Sequence, residues 1–228
     1  MVEETPLRRV SAIVPAYDEA ARIAPVLDAL VSHPGIHEVL VVDDGSSDGT
    51  GEVAAARGAR VIRNTRKSGK GAAMQRGVSV AKGDVIFFCD ADIQGLSHDI
   101  IDEIVDPVRR GETDMFIGMI ERRIYDAPLV IRFVPLLGGI RALTRQLWER
   151  TPRRFKKGFE IETALNYYAG HPGRPMHKVF PGLSQTVKEK KYGVLRGTYW
   201  RWKMVLDILA TNWALHTGAS RPEAQPEA

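Results

Sequence analysis

The chain has little of the material from which disulfide frameworks, cysteine-rich zinc sites and membrane spans are built. Cys89 is its single cysteine, which excludes an internal disulfide and a zinc site made of several cysteines. No stretch approaches the roughly eighteen uncharged apolar residues that a spanning helix needs. The first ten residues, MVEETPLRRV, have no apolar core of a secretory signal. We therefore expect a protein of the reducing cytoplasm, in which Cys89 is a small core residue.

Charge is divided unevenly along the 228 residues, whose net charge is +4. Residues 1–120 contain 13 Lys and Arg against 19 Asp and Glu, whereas residues 121–228 contain 19 against 9. A basic second half favours an anionic partner, which is phosphate, nucleic acid or an anionic membrane surface. The alternative is a basic face that only contacts water. The overall composition is that of a soluble globular protein with a sizeable core.

Strand and helix patterns alternate through the first half of the chain. Short apolar runs predict strands at 10–14, 38–42, 60–63 and 84–88, and helical spacing or capping residues lie between them. This alternation predicts an α/β fold with a mostly parallel, Rossmann-like central sheet and helices on both faces. Beyond residue 120 the pattern predicts a helix at 159–169, a loop at 171–182, an amphipathic helix at 200–215 and a disordered tail at 218–228.

Two aspartates, Asp90 and Asp92, follow the most apolar of the predicted strands. On a continuing strand, residues two apart face the same side. Paired carboxylates repel each other unless a cation joins them. With the amide oxygen of Gln94 as a third ligand, these oxygens suit Mg²⁺ or Mn²⁺, which commonly also bind substrate phosphates. The alternative is a pair of solvated loop aspartates.

Polar residues also follow the other predicted strands, where parallel sheets bind ligands. They are Pro15–Glu19, Asp43 with Asp44, and a loop that carries Lys70 into a helix start. The segment GKG at 69–71 resembles a Walker phosphate-binding loop only superficially, because Gly71 stands where that loop needs serine or threonine. It suits an anion site at a helix amino terminus. Asp43 and Asp44 can accept hydrogen bonds from a ribose or a base, or they can only form a turn.

These motifs together resemble those of a known family. The segments VPAYDE at 14–19, VVDDGSSDGT at 41–50, GKG at 69–71 and DADIQ at 90–94 are similar to those of family 2 glycosyltransferases with the GT-A fold. In motif form the chain most resembles the polyprenyl-phosphate sugar synthases of the dolichyl-phosphate mannose synthase type. The resemblance covers about residues 8–120 and is patchy beyond.

The resemblance implies a single GT-A domain over 1–228, with a nucleotide-sugar-binding half at 8–120 and an acceptor-binding half at 121–217. It implies inversion at the anomeric carbon and an Mg²⁺ or Mn²⁺ ion held by Asp90, Asp92 and Gln94, with Asp92 as a catalytic residue. The residues that it implies for binding the nucleotide sugar are Pro15, Ala16, Tyr17, Glu19, Asp43, Asp44, Lys70, Asp90, Ala91 and Asp92.

The acceptor stays open between two chemistries. A neutral hydroxyl needs a general base, for which Glu160 and Glu162 are both candidates. A phosphate is already mostly ionised near neutral pH, since its second pKa is about 6, and it needs arginines instead. The candidate arginines for this phosphate are Arg122, Arg123 and Arg132.

We expect a lipid-linked, polyprenyl-phosphate acceptor at the cytoplasmic face of the membrane, with a soluble phosphorylated metabolite as the alternative. Tryptophans in the predicted helix at 200–215 suit contact with an anionic membrane surface, although the helix can equally pack on the sheet. A nucleotidyltransferase and a nucleic-acid-binding module are less favoured, because no motif supports either. The sequence sets no oligomeric state.

Overall fold

The structure is a computed structural model that describes residues 7–120, 139–158, 160–169, 175–185, 210–211, 213–215 and 217. Its strands are β1 (Val10–Ala16), β2 (Glu38–Asp43), β3 (Arg60–Arg63), β4 (Val85–Cys89), β5 (Ile93–Gln94), β6 (Met115–Ile120), β7 (Ile140–Thr144), β8 (Met176–Phe180) and β9 (Ser184–Gln185). Its helices are α1 (Ile23–Val31), α2 (Thr50–Ala56), α3 (Lys70–Val80), α4 (His98–Arg109), α5 (Arg145–Arg150) and α6 (Glu160–Ala169), with a 3₁₀ turn at Arg153–Phe155.

Seven strands form one sheet in the order β3-β2-β1-β4-β7-β6-β8. The first four are parallel, as are β6 and β8, whereas β7 runs antiparallel to both of its neighbours. The predicted α/β fold with a mostly parallel sheet is confirmed. The four predicted strands of the first half are present, with ends shifted by two residues at most. The predicted loop at 171–182 is wrong over Met176–Phe180, because this segment pairs with β6 as β8.

The sheet is covered on both faces, which explains why its strands read as continuous apolar runs. In β1, Ala12 and Val14 belong to the core layer that includes residues of α1 and α4. Ile13 between them belongs to the opposite layer, which includes residues of α3, α5 and α6. Helices on both faces are therefore confirmed, and the buried sheet gives its strand ends a rigid support.

The second half of the chain contributes β7 and β8 to the same sheet as the first half. The division at residue 120 into a donor half and an acceptor half stays a prediction. Of the predicted helix at 200–215, the described residues are helical, and the Trp213 side chain there is exposed. The predicted tail at 218–228 lies outside the described residues. Within the described ranges, no helix combines the length and the apolarity that crossing a bilayer demands.

Candidate functional site

The carboxyl ends of β2, β1 and β4 lie side by side, because these strands are parallel neighbours in the sheet. Ala16, the last residue of β1, stands opposite Asp43 of β2. The backbone N–H of Asp44 donates to the carbonyl of Ala16 at 2.8 Å. Asp90 follows the last residue of β4 directly. The structure therefore places the polar residues of these three predicted strand ends along one edge of the sheet.

Asp90 and Asp92 direct carboxylate oxygens at a common point. The side-chain amide of Gln185 donates from Nε2 to Asp90 Oδ2 at 2.9 Å and to Asp92 Oδ1 at 2.8 Å. Gln185 reaches this place because β9 pairs with β5, which sets Ile93 opposite Gln185. One donor atom thus bridges two carboxylates, and this convergence is the arrangement that a shared cation requires.

The surroundings of Asp92 change its pKa. Burial raises the pKa of Asp92, the hydrogen bond from Gln185 lowers it, and the charges of Asp90 and Glu19 add to the rise. Burial and the two neighbouring aspartates also raise the pKa of the Cys89 thiol well above its usual value. A buried thiol with a raised pKa is a poor nucleophile, which agrees with the prediction of Cys89 as a core residue.

Lys70 lies between two carboxylates from different parts of the fold. Its Nζ is 2.8 Å from Asp90 Oδ1 and 3.0 Å from Glu162 Oε1. Arg141 Nη2 contacts the other oxygen of Glu162 at 3.3 Å, and both of these side chains are buried. Burial lowers the pKa of Lys70, but Asp90 and Glu162 outweigh it and raise the pKa, so the lysine stays charged. This network links β4, α3, α6 and β7.

Two glycines explain the loop that presents Lys70. Gly69 has a φ of +90°, in a region that residues with a side chain rarely adopt. A Cβ on Gly71 would lie 2.6 Å from the carbonyl oxygen of Lys156, which is too close for any larger residue. The two glycines therefore allow α3 to begin at Lys70 and to approach the backbone at 156–157 closely.

The aspartates after β2 are buried and serve neighbouring loops. Asp44 accepts hydrogen bonds from Asn64 Nδ2 at 2.7 Å, from Ser68 N at 2.9 and 3.0 Å, and from Gly69 N at 2.7 Å. Asp43 Oδ1 accepts from the N–H of Ser46 at 2.9 Å. Asp44 thereby fixes the loop that leads to Lys70. A role of either aspartate in holding a nucleoside stays a prediction.

The loop after β1 carries the remaining predicted donor-binding side chains. The Tyr17 ring lies under the Lys67 ammonium, with Nζ 3.6 Å from the ring centroid. Glu19 is nearly buried, and its Oε2 accepts from Arg22 Nε at 2.6 Å. The Glu19 N–H donates to Thr50 Oγ1 at 2.9 Å, which ties this loop to the start of α2. Tyr17 and Lys67 therefore contact each other beside the end of β1.

Several predicted site residues lie elsewhere. Gln94 is exposed, and its Oε1 accepts from Ser184 Oγ at 3.3 Å, so its role as a third metal ligand stays a prediction. Glu160 is the first residue of α6, but Glu162 is the glutamate that the structure places in the lysine network. Pro15, Ala16 and Ala91 contribute backbone at the strand ends. Arg122, Arg123 and Arg132 lie outside the described residues.

Arg141 and Gln185 are site residues that the sequence patterns did not indicate. Arg141 stands in the otherwise apolar strand IRALT, and a lone arginine in a buried strand is a signal that could have found it. Gln185 follows no local pattern. Among the described residues, no third His, Cys, Asp or Glu joins the two aspartates as a metal ligand group. Mg²⁺ is often held by one or two carboxylates, water and substrate phosphates, so this donor set fits a metal that binds together with a diphosphate.

Two curated proteins are similar to parts of the chain. The chain is 32% identical over 126 residues to a dodecaprenyl-phosphate galacturonate synthase of Rhizobium johnstonii, covering 50% of this chain and 36% of that protein. It is 28% identical over 195 residues to a glucosyl-3-phosphoglycerate synthase of Mycolicibacterium paratuberculosis, covering 69% and 59%. The chain thus spans between about a third and three-fifths of the length of these curated relatives.

The fold also matches a solved structure. The glucosyl-3-phosphoglycerate synthase of Mycobacterium tuberculosis, crystallised with Mn²⁺, uridine-diphosphate-glucose and phosphoglyceric acid, superposes with a TM-score of 0.74 at 24% identity. The match covers 91% of this chain and 79% of that one, and it confirms the GT-A fold. The description "Glycosyl transferase family 2" belongs to the family profile that matches residues 11–169. The chain belongs to glycosyl transferase family 2.

Proposed function

We propose that the protein is a metal-dependent, inverting glycosyltransferase that moves a sugar from a nucleotide-sugar donor to a polyprenyl-phosphate acceptor. The observation that carries this proposal is the convergence of Asp90 and Asp92 on one point beside the Lys70 ammonium. Two acids and a fixed cation at the ends of parallel strands suit a metal-bound diphosphate. Family membership and the Mn²⁺ and uridine-diphosphate-glucose bound in the M. tuberculosis structure support it.

In this proposal Asp90 and Asp92 hold Mg²⁺ or Mn²⁺, which as a Lewis acid stabilises the charge that develops on the leaving diphosphate. Lys70 adds a second positive charge beside that group, and Glu162 and Arg141 keep the lysine in place. The acceptor oxygen attacks the anomeric carbon as the bond from that carbon to the diphosphate oxygen breaks. Tyr17, Glu19, Asp43 and Asp44 line the nucleoside side.

The surroundings of Glu162 favour a phosphate as the nucleophile. Its carboxylate is buried and contacts both Lys70 and Arg141, so it compensates two cations and is poorly placed to take a proton. An ionised phosphate needs no general base, and the relative from R. johnstonii is named for a dodecaprenyl phosphate. In this proposal the enzyme works at the cytoplasmic face of a membrane, where the lipid acceptor lies.

A second candidate is transfer to a hydroxyl of a soluble phosphorylated molecule. The structural match to the M. tuberculosis enzyme favours it, because that protein was crystallised with phosphoglyceric acid and with glycerol 3-phosphate. In this case Glu160 or Glu162 is the general base. The two candidates share the donor site and differ in the acceptor and in the need for a general base.

A binding screen tests the donor part. Purified protein is titrated with nucleotide sugars, with and without Mn²⁺, by calorimetry. We expect one nucleotide sugar to bind only with Mn²⁺, and Asp92→Ala to lose that binding. Asp99→Ala, which changes an exposed aspartate on α4, is the matched control and should bind as the wild type does. Metal-independent binding, or equal loss in both variants, would contradict the proposal.

An acceptor assay separates the two candidates. The enzyme receives the donor with either a polyprenyl phosphate in vesicles or 3-phosphoglycerate, and the glycosylated product is detected by mass spectrometry. Glu162→Gln and Glu160→Gln form a matched pair on one helix. A lipid-phosphate product whose rate keeps its pH profile in both variants supports the first candidate. A soluble product, with the acid limb of the profile lost in one variant, supports the second and overturns the first.

A further inference from the structure

A second cavity lies away from the residues of the candidate site. It has a volume of about 410 Å³ and lies between α3, α5 and the segment that follows α5. None of its lining residues is among the residues assigned to the donor, the metal or the acceptor. Its lining includes three cations and one acid, which are Arg145, Arg153, Lys156 and Glu149. A pocket of this size suits a small metabolite.

Lys156 is the unusual member of this lining. Its side chain is buried, with 8% of the residue exposed, and its Nζ lies 4.7 Å from the centroid of the Trp148 ring. In the part of the chain that the structure describes, no carboxylate forms an ion pair with it. Burial lowers the pKa of Lys156 and Arg153 lowers it further, whereas the charge of Glu149 raises it in part. A buried ammonium without a counter-ion is costly, so this position favours an anion.

Two further polar atoms of the lining residues lack a protein partner. Among the described residues, nothing makes a hydrogen bond with Trp148 Nε1 or with Gln75 Oε1, and both atoms are buried. The first is a donor and the second an acceptor. Buried polar groups are almost always satisfied, so these two atoms and the lysine, which belong to residues that line the same cavity, favour a polar ligand there.

The other charged residues of the lining are either bound to backbone carbonyls or exposed. Arg145 donates to the carbonyls of Val78, Ala81 and Gly83, so it closes the end of α3. Glu149 and Arg153 are exposed. The cavity therefore presents a buried cation inside and an exposed one at its rim.

We propose that this cavity binds a small oxyanion, a phosphate or carboxylate group whose charge pairs with Lys156 and Arg153. The bound molecule also takes a hydrogen bond from Trp148 and, where it carries a hydroxyl group, gives one to Gln75. The site is separate from the donor crevice. It is connected to the donor site through α3, which carries both Lys70 and Gln75, and through the backbone of Lys156, whose carbonyl faces Gly71.

The test titrates the whole chain with inorganic phosphate and, as the carboxylate arm, with malonate, by calorimetry at constant ionic strength set with sodium chloride. We expect saturable binding of at least one anion. Lys156→Met keeps the aliphatic stem against Trp148 and should weaken binding about tenfold or more, the loss typical of one charge-assisted hydrogen bond. Lys157→Met, at the exposed neighbouring position, should bind as the wild type does.

Two further measurements keep the test decisive. Lys70→Met alters the candidate catalytic network and should leave this anion binding unchanged, which separates the cavity from a phosphate in the donor crevice. Circular dichroism checks that Lys156→Met is folded. If it is not, Lys156→Arg serves as the second test, because it keeps the charge and should retain binding. The proposal is overturned if neither anion binds beyond chloride, or if Lys156→Met binds both as well as the wild type.

Discussion

Two pairs of aspartates lie at strand ends of the same sheet, and they differ in burial and in hydrogen-bond partners. Asp43 and Asp44, after β2, are almost completely buried, and Asp44 accepts hydrogen bonds from a side chain and two backbone amides. Asp90 and Asp92, after β4, are partly exposed and are held by one lysine and one glutamine amide. The fold satisfies Asp44, and Asp43 Oδ2 lies 3.5 Å from Arg63 Nε without a hydrogen bond among the described residues, whereas the second pair faces a point that suits a cation.

This difference has a physical basis in what each pair gives to the fold. A carboxylate that accepts several N–H bonds stabilises the loop that supplies them. Two carboxylates that face one point repel each other, and the pKa of Asp92 is raised first by burial and in addition by the charges of Asp90 and Glu19. We infer that the β2 pair contributes mainly stability and the β4 pair mainly chemistry. Substitutions in each pair should therefore separate the two effects.

The largest expected effect is on the rate of transfer in Asp92→Asn. Removing one charge from a preorganised electrostatic site typically costs about 10²–10³-fold in kcat, and we expect a loss of that order in sugar transfer. Steady-state assays with saturating donor and Mn²⁺ measure it. Asp99→Asn on the exposed face of α4 should keep the wild-type rate. A loss of less than tenfold in Asp92→Asn would remove the chemical role assigned to the β4 pair.

The same variant should gain stability at neutral pH. Because the pKa of Asp92 is raised in the folded protein, the folded state holds this proton more tightly than the unfolded chain does. Stability therefore falls as pH rises through the ordinary range of an aspartate. Asp92→Asn has no carboxyl group at this position and does not lose stability in this way. Its urea midpoint in metal-free buffer should therefore exceed that of the wild type at about pH 7. At about pH 3 the two midpoints should approach each other. A lower midpoint at neutral pH would contradict this sign.

The next effect belongs to the β2 pair. Asp44→Ala leaves the buried Asn64 Nδ2 and the partly buried N–H groups of Ser68 and Gly69 without their acceptor. We expect unfolding free energy to fall by about 2–4 kcal/mol, the cost of stranding several donors. Urea denaturation with an unchanged slope measures it. If Asp44→Ala is as stable as the wild type while Asp92→Asn is not, the assignment of roles is reversed.

The sequence predicted where these four aspartates lie, and the roles that the family resemblance implies for them stay predictions. The strands before them are long, apolar and flanked by helical patterns, so the fold and the strand ends follow from local periodicity. Whether an acid binds a loop or a ligand depends on the donors that surround it, and for Asp44 these are residues 20 to 25 positions away. That information is not present in a local pattern.

The partners of the β4 pair were harder still to predict. Gln185 reaches Asp90 across 95 positions of sequence, through a pairing of two-residue strands. Arg141 reaches Glu162 because β7 inserts antiparallel between β4 and β6. Register between strands so far apart is set by the packed sheet and has no signature in composition or spacing. The motifs therefore predicted a candidate site, and the tertiary fold added Gln185 and Arg141 as contacts.

The smallest expected effect concerns Gln185, and its sign is informative. A cation that binds both aspartates must take the place where the Gln185 amide now donates to them. Gln185→Leu removes that competition, so Mn²⁺ without nucleotide should bind about fivefold more tightly, as expected for one net hydrogen bond of about 1 kcal/mol. Electron paramagnetic resonance of free Mn²⁺ measures this affinity. Gln146→Leu, an exposed glutamine on α5, is the control.

The opposite sign would change the comparison between the two pairs. The two ends of a side-chain amide are interchangeable by a rotation of half a turn, so Gln185 can also present its oxygen to a cation. Weaker Mn²⁺ binding in Gln185→Leu would then make this glutamine a ligand, and the β4 pair a site completed by β9. Tighter binding would mean that Gln185 is not a ligand. Its amide would then hold the two repelling carboxylates together only when the metal and the diphosphate are not bound.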